Sequence, residues 1–209
     1  MQVIALIGDV VQSRQVSNRR GLQARLSRAL AAVSRGNRTL ASPYTLTLGD
    51  EFQAVYRRSD RMLADVLDLV VALHPVQARF AFGVGGLSTP INPEQALGMD
   101  GPAFHRARAA IDALKRDRGW WRIAAEPAEV WQPYNHILAY VGHHASTWDA
   151  NRWRILRQRL EGVPVVQMVE RIGISKVAIH KNIRVAALDE VAAICQDITQ
   201  GLARALKDA

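Results

Sequence analysis

The chain has 209 residues, 49% of them apolar, which is room for one large or two small globular domains. Its 27 Lys and Arg against 19 Asp and Glu leave a net charge of +8, which favours a polyanionic partner such as nucleic acid. Cys195 is the only cysteine, which excludes an intramolecular disulfide. The first apolar run is too short for a bilayer and has no basic leader, so the expectation is a cytoplasmic protein with no membrane partner.

Residues 2–10 read as a buried strand that closes on Gly8 and Asp9. Residues 19–34 read as a helix, with Leu22, Leu26, Ala29, Leu30 and Val33 on one face and Ser17 or Asn18 as cap. Pro43 and Tyr44 open a hairpin. Its outgoing strand is Thr45 to Leu48, its turn Gly49-Asp50, and its return Phe52 to Tyr56. A second helix starts at Ser59-Asp60, buries Leu63, Val66, Leu67, Val70 and Val71, and stops at His74-Pro75. A strand over 78–85 follows. Its Gly83 to Gly86 lack the strand-to-helix setting of a dinucleotide fingerprint and are read as permitting close packing. Pro102 opens a third helix that buries Phe104, Ala107, Ile111 and Leu114, and Trp120 to Ile123 form a fifth, edge strand.

The order βαββαβ followed by αβ predicts an α+β fold: a ferredoxin-like sheet with its helices on one face and strand one near its centre. Asp9 and the hairpin tip then lie at the same end. Two carboxylates at strand ends suit a hard cation such as Mg²⁺ or Mn²⁺, with phosphate oxygens completing its shell. In the alternative reading, both aspartates simply favour their turns.

Ala124 to Pro133 is the expected linker, dividing a ferredoxin-like domain (1–125) from an all-α domain (134–209) that begins with a helix over 134–146. His143 and His144 are adjacent and diverge on a helix, which argues against a shared metal. Residues 152–184 hold eight basic side chains and two acids. Within them, about residues 164–185 have the parts of a helix-turn-helix. Pro164 starts a short helix with Met168, Val169 and Ile172 on its apolar face. Gly173 supplies the left-handed turn residue, Ile174 plugs the corner, and Ser175 caps a second helix that buries Ile179 and Ile183. Ser175, Lys176, Val177, His180, Lys181 and Arg184 are left facing outward, a set able to reach phosphates and base edges in a DNA major groove. Leu188, Val191, Cys195, Ile198, Leu202 and Ala205 then follow at three-four spacing. That stripe fits either a homodimer seam or a helix packed on its own domain.

The stretches IALIGDVVQSR, LTLGDEFQAVY, RFAFGVGGLST and GMDGPAFHRARAAI, followed by the helix-turn-helix, resemble the SatD family of bacterial proteins over nearly the whole chain. The N-terminal half is also similar to class III nucleotide cyclases and, more loosely, to GGDEF diguanylate cyclases. That resemblance implies that Asp9 and Asp50 would hold divalent cations on a nucleotide, which would rest against Gly8, Gly49 and Arg108. Three positions depart from the cyclase pattern. Leu48 replaces the first glycine of the GGDEF signature, His105 stands where cyclases carry an asparagine, and Ala109 stands in the place of their arginine, with Arg108 one residue off. No catalytic residue is assigned, and the reading leans away from an enzyme.

The leading expectation is a dimeric DNA-binding transcriptional regulator whose cyclase-like half senses a metal-nucleotide or another phosphorylated ligand. The alternatives are a divalent-metal-dependent nucleotide-processing enzyme targeted by its helix-turn-helix, and a non-catalytic protein-interaction scaffold.

Overall fold

A computed structural model describes residues 1–13, 17–47 and 49–207. β1 (Val3–Val10) is buried at every position, as a continuous run of branched apolar residues demands. It pairs antiparallel on one side with β3 (Glu51–Tyr56) and on the other with β4 (Ala78–Gly85). β2 (Leu40–Leu46) flanks β3, and β5 (Trp121–Ala124) runs parallel to β4, giving the order β2-β3-β1-β4-β5 among the described residues. β2 begins earlier than the hairpin pattern predicts and contains Pro43. An edge strand tolerates proline, and the ladder shifts register on either side of it. Leu48 lies outside the described residues.

The expectation of helices on one face is corrected. α1 (Arg19–Ser34) and α2 (Met62–Leu73) cover the face formed by Ile4, Leu6, Phe52, Tyr56, Phe80 and Phe82. α3 (Pro102–Asp117) covers the opposite face, over Val3, Ala5, Ile7, Val55 and Ala81. The physical reason is legible in β1 itself, where both parities are apolar and each needs a cover. Gly83 lets α3 lie on β4, since a Cβ there would collide with the Ala103 carbonyl oxygen and the Ala107 nitrogen.

The linker is also shorter than expected. α4 (Ala128–Ala145) starts four residues after β5 and contains Pro133. That proline costs one helical hydrogen bond. The burial of Trp131 and Leu138, and Asn135, offset it: the Asn135 side chain accepts from Ile123 N and donates to Ile123 O, both at 2.8 Å, satisfying the edge of β5. α5 (Ala150–Leu160), not anticipated from the sequence, is capped by Asp149, which accepts from Arg152 N at 2.8 Å. α6 (Val165–Ile172), α7 (Lys176–Val185) and α8 (Leu188–Ala205) complete the chain.

One apolar core runs without a break from the α1/α2 face of the sheet into α4, α5 and α8. Trp153 of α5 joins them. Its ring stacks on Trp120 at 6.1 Å and meets Trp121 edge-on at 5.9 Å and Trp148 at 5.0 Å. Leu188, Val191, Cys195, Ile198 and Leu202 of α8 are all buried within the chain. The stripe is thus an internal packing face against α5 and the core, not a dimer seam. Burial pushes the Cys195 thiol up to about 12. Among the described residues, no helix is long and apolar enough to cross a membrane.

Candidate functional site

Two regions carry the predicted functional residues. The first is the end of the sheet where β1, β3 and β4 meet. Asp9 lies opposite Glu51 in one ladder and opposite Arg79 in the other. Its buried carboxylate is held by two cations: Arg79 Nη1 donates to Oδ2 at 2.9 Å, and Lys115 Nζ lies 3.2 Å from Oδ1. Glu51 receives a two-pronged pair of hydrogen bonds from Arg108, both 2.7 Å, and its Oε2 lies 3.6 Å from the same Lys115 ammonium. Arg108 and Lys115 are seven residues apart on α3, two turns along one helix face.

Asp50 sits beside this network with a different partner. The Ser13 hydroxyl donates to its carboxylate, and its backbone carbonyl accepts from Val10 N at 3.3 Å. The two aspartates therefore share an end of the sheet, but it is Glu51 that faces Asp9 across the ladder. Gly49 has the left-handed backbone its turn requires, with φ +70°. Gly8 lies beneath the Phe52 ring, which would collide with any Cβ there. His105 pairs with Asp100 at 2.8 Å and not with Asp9, Asp50 or Glu51.

Sequence reasoning picked out Asp9 and Arg108 here but missed Glu51, Arg79 and Lys115. The available signals were a charged residue interrupting the apolar run of β4 and the seven-residue spacing on α3. As they stand, these residues do not fit a divalent cation. Both oxygens of Asp9 and both of Glu51 are occupied by guanidinium or ammonium groups, and no cluster of three His, Cys, Asp or Glu is found among the described residues.

Burial works to raise the Glu51 carboxyl, but the hydrogen bonds and charge of Arg108, helped by Lys115, outweigh it and hold the group below the usual glutamate range. A lowered folded-state value contributes stability that is present above the unfolded pKa of about 4.3 and is lost as pH falls through the folded value. Glu51→Gln is therefore expected to cost stability at neutral pH by a margin that shrinks on acidification below about pH 4.3, measured by urea unfolding across pH. A margin independent of pH would contradict the ion pair.

The second region is the α6–α7 corner. Gly173 closes α6 in the left-handed conformation, φ +79°. The Ser175 hydroxyl caps α7 by accepting from Ala178 N at 3.1 Å. Met168 and Ile179 are fully buried between the helices, with Val169, Ile172, Ile174 and Ile183 packed around them. Arg152 Nε donates to Asn182 Oδ1 at 3.1 Å and fixes the inner face of α7 to α5. Ser175, Lys176, Val177, His180, Lys181 and Arg184 are all exposed, Val177 by 78%. α7 carries no acidic residue to offset its cations.

Residues 3–191 match the SatD family. The chain belongs to the SatD family. No curated protein matches this SatD chain. Two structures of a bacterial light-regulated adenylyl cyclase are similar to it, each at 14% identity, with TM-scores of 0.41 and 0.40. Each similarity covers 59% of the SatD chain and 43% of the cyclase, so the chain spans less than half the length of the cyclase it matches.

Proposed function

We propose that this SatD-family protein is a cytoplasmic DNA-binding transcriptional regulator that lays α7 in the major groove. The observation that carries the reading is the exposed face of α7. Six side chains that can touch phosphates or base edges lie together on a capped helix, held out by a buried two-helix corner. Lys176, Lys181 and Arg184 supply phosphate neutralisation. Val177 supplies an apolar contact of the kind a thymine methyl offers, and His180 and Ser175 supply hydrogen bonds. The net charge of +8 favours the encounter.

In this reading residues 1–125 are a ferredoxin-like, cyclase-like half and residues 134–209 the helical DNA-binding half. The order β2-β3-β1-β4, with β1 central, supports the first assignment. The second rests on the run of helices from α4 to α8. The reading includes a homodimer, because two-fold readers match palindromic sites, with a seam other than the buried stripe of α8. The first half would act as a sensor, and a phosphorylated ligand reaching Arg108 would have to displace Glu51. No metal step and no turnover is assigned to it.

The test is anisotropy titration of duplex DNA from low to physiological salt. Lys181→Ala and Arg184→Ala are each expected to weaken binding across sequences and to reduce the salt slope by about 1. Wild-type affinity and slope in both variants would overturn this assignment of the DNA-binding face.

A further inference from the structure

We propose that a second site, at the other end of the sheet from Asp9, binds a small planar aromatic anion. A cavity of about 470 Å³ opens there between the start of β1 and end of β4 on one side and α4 and α8 on the other. Its size lies within the roughly 300–1,000 Å³ of small-ligand sites. β1 rises about 3.3 Å per residue, so Gln2 is about 23 Å from Asp9 and the two regions share no side chain.

Four features define what the cavity takes. First, its charge is positive. Arg106 from α3 and Arg204 from α8 line it against a single acid, Glu126. Arg106 Nη1 donates to Val84 O at 2.6 Å, and its Nη2 lies 3.5 Å from Glu126 Oε1. Arg204 makes no ion pair among the described residues and is exposed at the mouth. An exposed guanidinium beside a tethered one suits a carboxylate or phosphate group.

Second, one wall is aromatic. The Trp131 and Tyr134 rings lie 5.8 Å apart, tilted by 42°. Such a wall favours a flat ring over an aliphatic chain.

Third, two lining residues carry buried polar atoms with no hydrogen-bond partner, Trp131 Nε1 and Gln2 Oε1. Trp131 is only 3% exposed, and its indole N–H, like that of Trp121 outside the cavity, has no acceptor among the described residues. The first atom needs an acceptor and the second a donor.

Fourth, the cavity is bounded by α8 at a position without a side chain. A Cβ on Gly201 would lie 3.3 Å from Trp131 Cη2, so the indole and the helix are already in close approach. Trp131 cannot retreat towards α8 to close the cavity.

Two sources share this chemistry, a nucleoside monophosphate and an aromatic hydroxy acid. The site stands apart from the DNA-binding proposal and does not rest on it. The test is isothermal titration of the full chain with AMP and, separately, with 4-hydroxybenzoate, beside Arg204→Glu and Tyr134→Leu. Saturable one-to-one binding of at least one probe is expected, weakened about tenfold or more in Arg204→Glu. AMP binding alone would assign the phosphate source, and 4-hydroxybenzoate binding alone the carboxylate source. Arg204 is exposed, so its variant keeps the fold, which an unchanged unfolding midpoint checks. If neither probe saturates the wild type, or if both variants bind as the wild type does, the site is overturned.

Discussion

Replacing Trp153 by alanine is expected to destabilise the protein by about 3–5 kcal/mol, measured by urea unfolding. Trp153 is 2% exposed and is the largest fully buried side chain. The cost has two parts, the transfer of an indole to water and the cavity it leaves. The cavity cannot collapse easily here, because its walls are themselves indoles anchored on different elements. Trp121 belongs to β5 and Trp120 immediately precedes it, while Trp148 precedes α5. The aromatic pairs add about 0.5–1.5 kcal/mol each beyond burial. The consequence reaches past stability, because α5 is the helix on which α6 and α7 rest and the Arg152–Asn182 bond ties it to α7. Trp153→Phe keeps a ring in the same place and is expected to cost less than the alanine variant. A loss below about 1 kcal/mol in Trp153→Ala would mean that polar ties to α2 and the segment before it hold α5 and α8 instead. The candidates are Arg157 with Asp68, at 2.7 Å, and the Ser59 hydroxyl with Thr199 O, at 2.8 Å.

What was legible in the sequence follows from where periodicity and caps are strong. α1 spans the expected residues 19–34 because its apolar face repeats cleanly and Asn18 caps it by accepting from Gly21 N at 2.8 Å. The α6–α7 corner was legible for the same reason: Gly173 and Ser175 are local signals that need no tertiary contact to read. α5 was missed because four arginines within residues 150–160 hide the apolar spacing of Trp153, Leu156 and Leu160. The site at the sheet end was half legible. A strand-end aspartate is visible in isolation, but its partners come from β3, β4 and α3, separated by up to about a hundred residues. Which of Asp50 and Glu51 would face Asp9 depended on register, and a one-residue change reverses the side a strand residue faces. The placement of α3 could have been inferred. A strand apolar at both parities cannot leave one face to solvent, so a helix had to cover each.

Asp9→Asn is expected to lower stability by about 3 kcal/mol, because it removes the carboxylate charge from a guanidinium that has little access to water. The side chains of Arg79 and Asp9 are 15% and 11% exposed, and Arg79 Nε is already buried without a partner. Loss of the Asp9 charge leaves Arg79 as an uncompensated cation beside Lys115, and the two then repel each other. Lys115 is 38% exposed and relieves its share by turning to solvent or to Glu51, so the larger part of the cost belongs to Arg79. The double variant Asp9→Asn/Arg79→Met removes the stranded charge and is expected to recover most of the loss, giving a coupling of more than about 1 kcal/mol in a double-mutant cycle. The sign of the single variant separates two accounts of this end of the sheet. A loss rescued by Arg79→Met means the network is a structural clasp joining β1, β4 and α3. A neutral or stabilising Asp9→Asn would mean the carboxylate is kept there at the expense of stability, as groups held ready for a ligand are.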